Sequence, residues 1–215
     1  MKLNLGCGGV QPEGWINTDS SLNMLVQRMP VIGKVVPKLL KKRTYDNANV
    51  TYMNVTKKWK FADDSVDVVY ASHLFEHLTV AQGDFFLDEA YRVLKFQGII
   101  RLVVPDLYRM TKIYIRDYEN GHENPSAPLL HGLNLHRENM YGEKIRLPKK
   151  MLYEWQGYPH MHKYMYDSKS LSIRLKEHGF VNIQSMSWGV SGIESISDVE
   201  NGNEPYISVY LEAQK

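Results

Sequence analysis

Residues 3–21 read LNLGCGGVQPEGWINTDSS: an apolar strand-like run, glycines at 6, 8 and 9, a second short strand-like run and an acidic residue at Asp19. A glycine turn after a strand usually meets a nucleotide, and the spacing decides which kind. The dinucleotide fingerprint needs glycine at three set places, and after Gly6 and Gly8 the third place holds Gln11. Asp19 follows Gly6 by only 13 residues, whereas the dinucleotide pattern puts its ribose-binding acid roughly 20 residues on, after a crossover helix. The dinucleotide pattern fails on both counts.

The bulk composition limits what surrounds this turn. With 215 residues, 43% of them hydrophobic, the chain can bury one good core, and we expect a single domain spanning residues 1–215. Its 26 basic and 24 acidic residues leave a formal charge of +2, which argues against a general nucleic-acid binder. The single cysteine, Cys7, excludes an intramolecular disulfide. No N-terminal stretch is apolar enough for a signal peptide or membrane span, so a reduced, cytoplasmic, soluble protein is expected.

Short β-rich runs alternate with helical ones, the pattern of an α/β fold with a mainly parallel sheet. Strands are predicted at 2–5, 15–18, 50–53, 66–71, 98–104, 181–186 and 207–211. Pro105 stops the fifth, because proline cannot donate to a ladder. Between the fourth and fifth, Phe86, Ala90, Val93 and Leu94 fall on one helical face, with Thr79 placed to cap the start and Gly98 beyond the end. A later helix has Asp167 at its N-cap, Leu171 and Leu175 one turn apart, and Gly179 as its stop.

LNLGCG after the first strand, Asp19 after the second, FADDSVDVVYASHLFEHL around the fourth and RLVVPD at the fifth together resemble the class I S-adenosylmethionine-dependent methyltransferases, in particular the type 11 domain. The resemblance covers most of residues 1–110. It implies a Rossmann-like, doubly wound seven-stranded sheet, mostly parallel with an antiparallel last strand, and S-adenosyl-L-methionine as cofactor at the carboxyl ends of the first four strands. It implies cofactor contacts from Asn4, Gly6, Cys7, Gly8, Asp19, Ser20, Asn54, Val55, Ser72, His73, Leu74 and His77. The residues agree with it: Gly6 and Gly8 supply backbone without side chains, and Asp19 a carboxylate for two ribose hydroxyls. Two positions depart from the family pattern. Asn4 stands where an acidic residue is common, and Asn54 near where an aspartate often meets the adenine; an amide can still hydrogen-bond at both.

In that family the segment after the fourth strand passes under the sulfonium, which puts His73, and with it His77, near the transferred methyl. His73 and His162 are the expected catalytic residues, needed as a base only for a poor nucleophile such as a sugar hydroxyl. An alternative reading has Glu76 and His77 cap and pair with the following helix. Residues 106–166, crowded with tyrosines and histidines, are assigned to an acceptor-side cap. His160 and His162 share one face of an extended strand, but spacing fixes no third ligand, so no metal site is expected.

Residues 24–48 form an insertion whose core, RMPVIGKVVPKLLKKR at 28–43, is basic and free of acidic residues. One reading is a lid that docks an anionic acceptor or a peripheral membrane surface; the other is a solvated helix packed on the domain, broken at Gly33 and Pro37. The expected activity is methyl transfer to a small-molecule or glycan-type acceptor at oxygen. The alternatives are a degenerate cofactor-binding domain acting as a partner protein and, more weakly, an NAD-dependent oxidoreductase.

Overall fold

The computed structural model describes residues 1–20, 49–134, 161–200 and 207–215. Its centre is a seven-stranded sheet of β1 (Lys2–Leu5), β2 (Trp15–Asp19), β3 (Val50–Tyr52), β4 (Val66–Ser72), β5 (Leu94–Pro105), β6 (Val181–Met186) and β7 (Ser208–Gln214), in the order β3-β2-β1-β4-β5-β7-β6. Strands β1 to β5 run parallel, and β7 alone runs against both of its neighbours. The strand order reverses at β1, where open α/β sheets bind their ligands. Parallel neighbours usually need a crossover of a dozen or more residues. Here residues 6–14 carry β1 into β2 without a helix.

Two buried amides make that short connection workable. Asn4 Nδ2 donates to Val10 O and to Asn17 Oδ1, both at 2.9 Å, and Asn17 Nδ2 donates to Pro12 O at 3.1 Å. The side chains do the work of the absent helix, pinning an irregular loop across the sheet face and satisfying its carbonyls.

Central strand β4 is apolar on both sides, as a sheet covered on two faces requires. Val69 and Ala71 join Leu3, Leu5, Ile100 and Leu102 in the larger core. Helices α1 (Val80–Val93) and α4 (Ser168–Glu177) cover it with Phe86, Leu87, Leu171 and Leu175. On the opposite face Val68 and Tyr70 meet Trp15, Val103 and Tyr210, covered by Ile196 and Val199 of the short helix α5 (Ile196–Glu200). Arg101 is fully buried on that face, donating to Glu200 Oε1 and Glu212 Oε1 at 2.6 Å each and to the carbonyls of Ser187 and Val190. This triad ties residues 187–200 to the sheet.

Thr79 and Asp167 cap α1 and α4 as expected, each in a reciprocal capping box, with Gln82 and Ser170, and Gly179 follows α4 at φ +87°. Gly98 does not end α1. The helix stops at Val93 and β5 starts at once, with residues 95–98 bulged between the Val66–Leu94 and Val68–Ile99 pairs and Gln97 at φ +63°. Of the 106–166 cap, α2 (Leu107–Glu119) and α3 (Ser126–Leu133) are described. The rest of it between 135 and 160, including His160, lies outside the described residues, as does the basic segment 28–43. Among the described residues no helix is long and apolar enough to cross a membrane.

Candidate functional site

The turn after β1 is built on left-handed backbone. Gly6 has φ +68° and Gly8 φ +51°, conformations that glycine adopts without steric cost. Cys7 N–H donates to Thr18 O at 2.9 Å, closing the turn over the end of β2, and Gly8 N–H donates to Asp19 Oδ2 at 3.2 Å. Among the described residues a Cβ on Gly8 would meet nothing within 4 Å, whereas one on Gly6 would lie 2.6 Å from Leu74 Cδ1. The first glycine thus lets the segment after β4 close on the turn, and the second leaves open space beside the Asp19 carboxylate.

The other expected cofactor contacts divide around this turn. Ser20 is exposed directly after β2, and Met53 N–H donates to Asp19 O, bringing Asn54 to the same end of the sheet. Asn54 Oδ1 accepts from the amide and hydroxyl of Thr56, forming a local turn. Val55 is buried in the larger core. Asn4 is buried with its amide nitrogen committed to the β1–β2 connection. The Cys7 thiol is pushed up to about 12, by burial first and by the nearby Asp19 carboxylate second.

Beyond Ser72, the last residue of β4, His73 takes φ +49°, and its N–H donates to Val103 O. Its side chain is 41% exposed, with Nδ1 3.4 Å from Glu76 Oε1 and Nε2 3.5 Å from Ser208 Oγ. A single 3₁₀ turn, Phe75–His77, follows and aims Glu76 inward. Glu76 is 0% exposed, and neither carboxylate oxygen has a hydrogen-bond partner among the described residues. His162 Nε2 stands 3.9 Å and His77 Nε2 4.0 Å from Glu76 Oε1, with the two rings edge to face at 4.9 Å. Lys163 N–H and Tyr164 N–H donate to Glu76 O, strapping the chain beside His162 onto this turn. Burial holds His162 below the ordinary histidine range, with Glu76 opposing that shift.

The structure therefore brings His162, distant in sequence, to the carboxylate that His73 and His77 flank. Thr79 caps the next helix as expected, so the alternative reading in which Glu76 and His77 cap it does not hold. Glu76 is the residue that sequence reasoning missed; its signal was an acid in a buried, strand-end run between two histidines. A shallow depression of about 410 Å³ lined by Gln11–Asn17, Asn49 and Thr51 sits at the opposite, amino end of β2 and β3, away from these groups.

Residues 3–102 match the family model Methyltransf_11, a methyltransferase domain. Over those residues the chain is similar to methyltransferase domains, and its seven-stranded sheet has their fold. The turn fits S-adenosylmethionine, the cofactor that this resemblance implies: bare backbone at Gly8 stands beside the Asp19 carboxylate, with no demand for a pyrophosphate-binding helix. No curated protein sequence matches the chain. Among solved structures it is similar to a S-adenosylmethionine-dependent methyltransferase from Archaeoglobus fulgidus, at 16% identity and TM-score 0.51 over 99% of this chain and 85% of that one. It is also similar to one from Methanosarcina mazei, at 17% identity and TM-score 0.52 over 99% and 91%. At such identities the likeness extends to the fold.

Proposed function

We propose that this enzyme transfers the methyl group of S-adenosylmethionine to a hydroxyl oxygen of a small-molecule or glycan-type acceptor. The bound cofactor supplies an activated methyl on its sulfonium. Asp19 accepts from the ribose hydroxyls, while Gly6, Cys7 and Gly8 give the methionine and adenosine moieties a backbone floor. His73 faces the acceptor and takes its proton, with the Glu76 carboxylate behind the ring to orient it and stabilise its charged form.

One observation carries the choice of oxygen: a half-exposed histidine at the end of β4 is backed by a buried carboxylate at 3.4 Å. Methyl transfer to a strong nucleophile needs little beyond positioning. A hydroxyl needs a base, and this pair supplies one. The test is release of S-adenosylhomocysteine from a panel of sugar hydroxyl, phenol, amine and thiol acceptors. Turnover confined to amines or thiols counts against the oxygen assignment. A protein that binds cofactor and turns over none of the panel favours the partner-protein alternative.

A further inference from the structure

Glu76, His77 and His162 form the cluster whose polar atoms the fold leaves least satisfied. One ligand atom from each lies within 4.8 Å of the others. His77 Nδ1 stands 3.1 Å from Met161 O. A carbonyl can only accept, so that nitrogen carries a proton, and in the neutral ring the Nε2 lone pair faces Glu76. Metal-binding histidines ordinarily donate their second ring nitrogen to a backbone carbonyl in this way.

Facing that lone pair is a carboxylate that is wholly buried and has no donor among the described residues. Its ionic neighbours there are three histidines, with no lysine or arginine. His162 adds a second imidazole whose Nε2 stands 3.9 Å from the same oxygen, and its buried Nδ1 has no hydrogen-bond partner among the described residues. A buried carboxylate facing a histidine lone pair across 4.0 Å is costly unless something positive sits between them.

We infer that Glu76, His77 and His162 bind a divalent transition-metal ion through one carboxylate oxygen and two Nε2 atoms. Two imidazoles and a carboxylate suit zinc, iron(II), cobalt or nickel over magnesium or calcium. Ligand atoms of a tetrahedral zinc site stand about 3.3 Å apart, from metal–ligand bonds of about 2.0 to 2.1 Å. The carboxylate stands 3.9 and 4.0 Å from the two nitrogens and the three ligand atoms lie within 4.8 Å of one another, so closing to that value takes side-chain shifts of about an ångström. The backbone bonds from Lys163 and Tyr164 to Glu76 O hold two of the ligands in register beforehand. Three protein ligands leave a position open for water or an oxygen of another molecule. The inference rests on these side chains and not on the proposed acceptor, so its failure leaves methyl transfer to oxygen untouched.

The experiment titrates the metal-free full chain with Zn²⁺ alone by calorimetry and counts bound zinc after gel filtration. One zinc per chain is expected, with affinity falling by more than about a hundredfold in Glu76→Gln and in His162→Ala. His178→Ala serves as the control, since His178 pairs with Asp84 and Asp88 at the surface; it should bind zinc like the parent. X-ray absorption on the zinc-loaded parent needs no variant to fold. It should show a shell of nitrogen and oxygen with the multiple scattering of two imidazoles. Absence of stoichiometric zinc, binding that survives both ligand substitutions or is lost in His178→Ala, or a sulfur in the shell would each overturn the assignment.

Discussion

His73 Nδ1 lies 3.4 Å from Glu76 Oε1, joining a half-exposed imidazole at the end of β4 to a carboxylate with no solvent exposure. In the proposed mechanism this contact would orient His73 as the proton acceptor beside the glycine turn. His73→Ala should therefore lower turnover by about 10²-fold or more while leaving S-adenosylhomocysteine affinity within about twofold. Initial rates on the best acceptor of the panel, set beside calorimetry, check this. Parallel losses in rate and affinity would give His73 a structural task instead.

Restoring the acid that the family commonly carries at position 4 should harm this chain. Asn4 donates to two acceptors, Val10 O and Asn17 Oδ1, and an aspartate there would bury a charge against both. Asn4→Asp should cost roughly 1 to 3 kcal/mol of stability, read by urea unfolding, with no gain in cofactor affinity. A stable variant that binds cofactor more tightly would show that Asn4 is a ligand position.

Arg101 sits fully buried between Glu200 and Glu212. Removing only the arginine leaves two buried carboxylates unpaired, so Arg101→Met should destabilise by about 3 to 5 kcal/mol. Replacing all three with apolar residues of similar volume should recover most of that loss, because no buried charge remains. Urea midpoints of the single and triple variants decide it, and a triple variant as unstable as the single one refutes the explanation.

The thiol of Cys7 is pushed up to about 12, so at pH 8 the folded protein should resist iodoacetamide and the denatured protein react readily. The linkage has a definite sign. Between the ordinary thiol pKa and about 12, the unfolded chain releases this proton and the folded chain keeps it. The cysteine therefore destabilises the fold progressively as pH rises through that window, and Cys7→Ala should show a shallower alkaline loss of stability. Rapid alkylation of the native protein at pH 8 would contradict the burial.

Much of the sheet was legible because its signals are local. The apolar run at 66–71, the capping threonine and aspartate at 79 and 167, and the glycine turn each need only neighbouring residues to be recognised. The bulge at 95–98 was not legible, since Gly98 after a helical pattern reads equally as a stop and as part of a kinked strand. The Arg101 triad was hidden for a different reason. A charge in an apolar strand identifies no partner until register places Glu212 opposite it. The same holds for Glu76, whose histidine neighbours come from residues 73, 77 and 162, and whose apparent helix-capping role was taken by Thr79. Sequence spacing left His162 without a third metal ligand; the fold supplies Glu76 and His77 beside it.

The turn after β1, with Asp19 beside Gly8, is the proposed seat of S-adenosylmethionine. Calorimetric titration of the full chain with S-adenosylhomocysteine, S-adenosylmethionine and NAD, repeated on Asp19→Ala, tests it most directly. The account predicts one site per chain for the first two and none for NAD. In Asp19→Ala, loss of a charged acceptor worth on the order of 1.5 to 3 kcal/mol should weaken binding by roughly tenfold or more, with the fold intact. Equal affinity in parent and variant, or preferential binding of NAD, would contradict it.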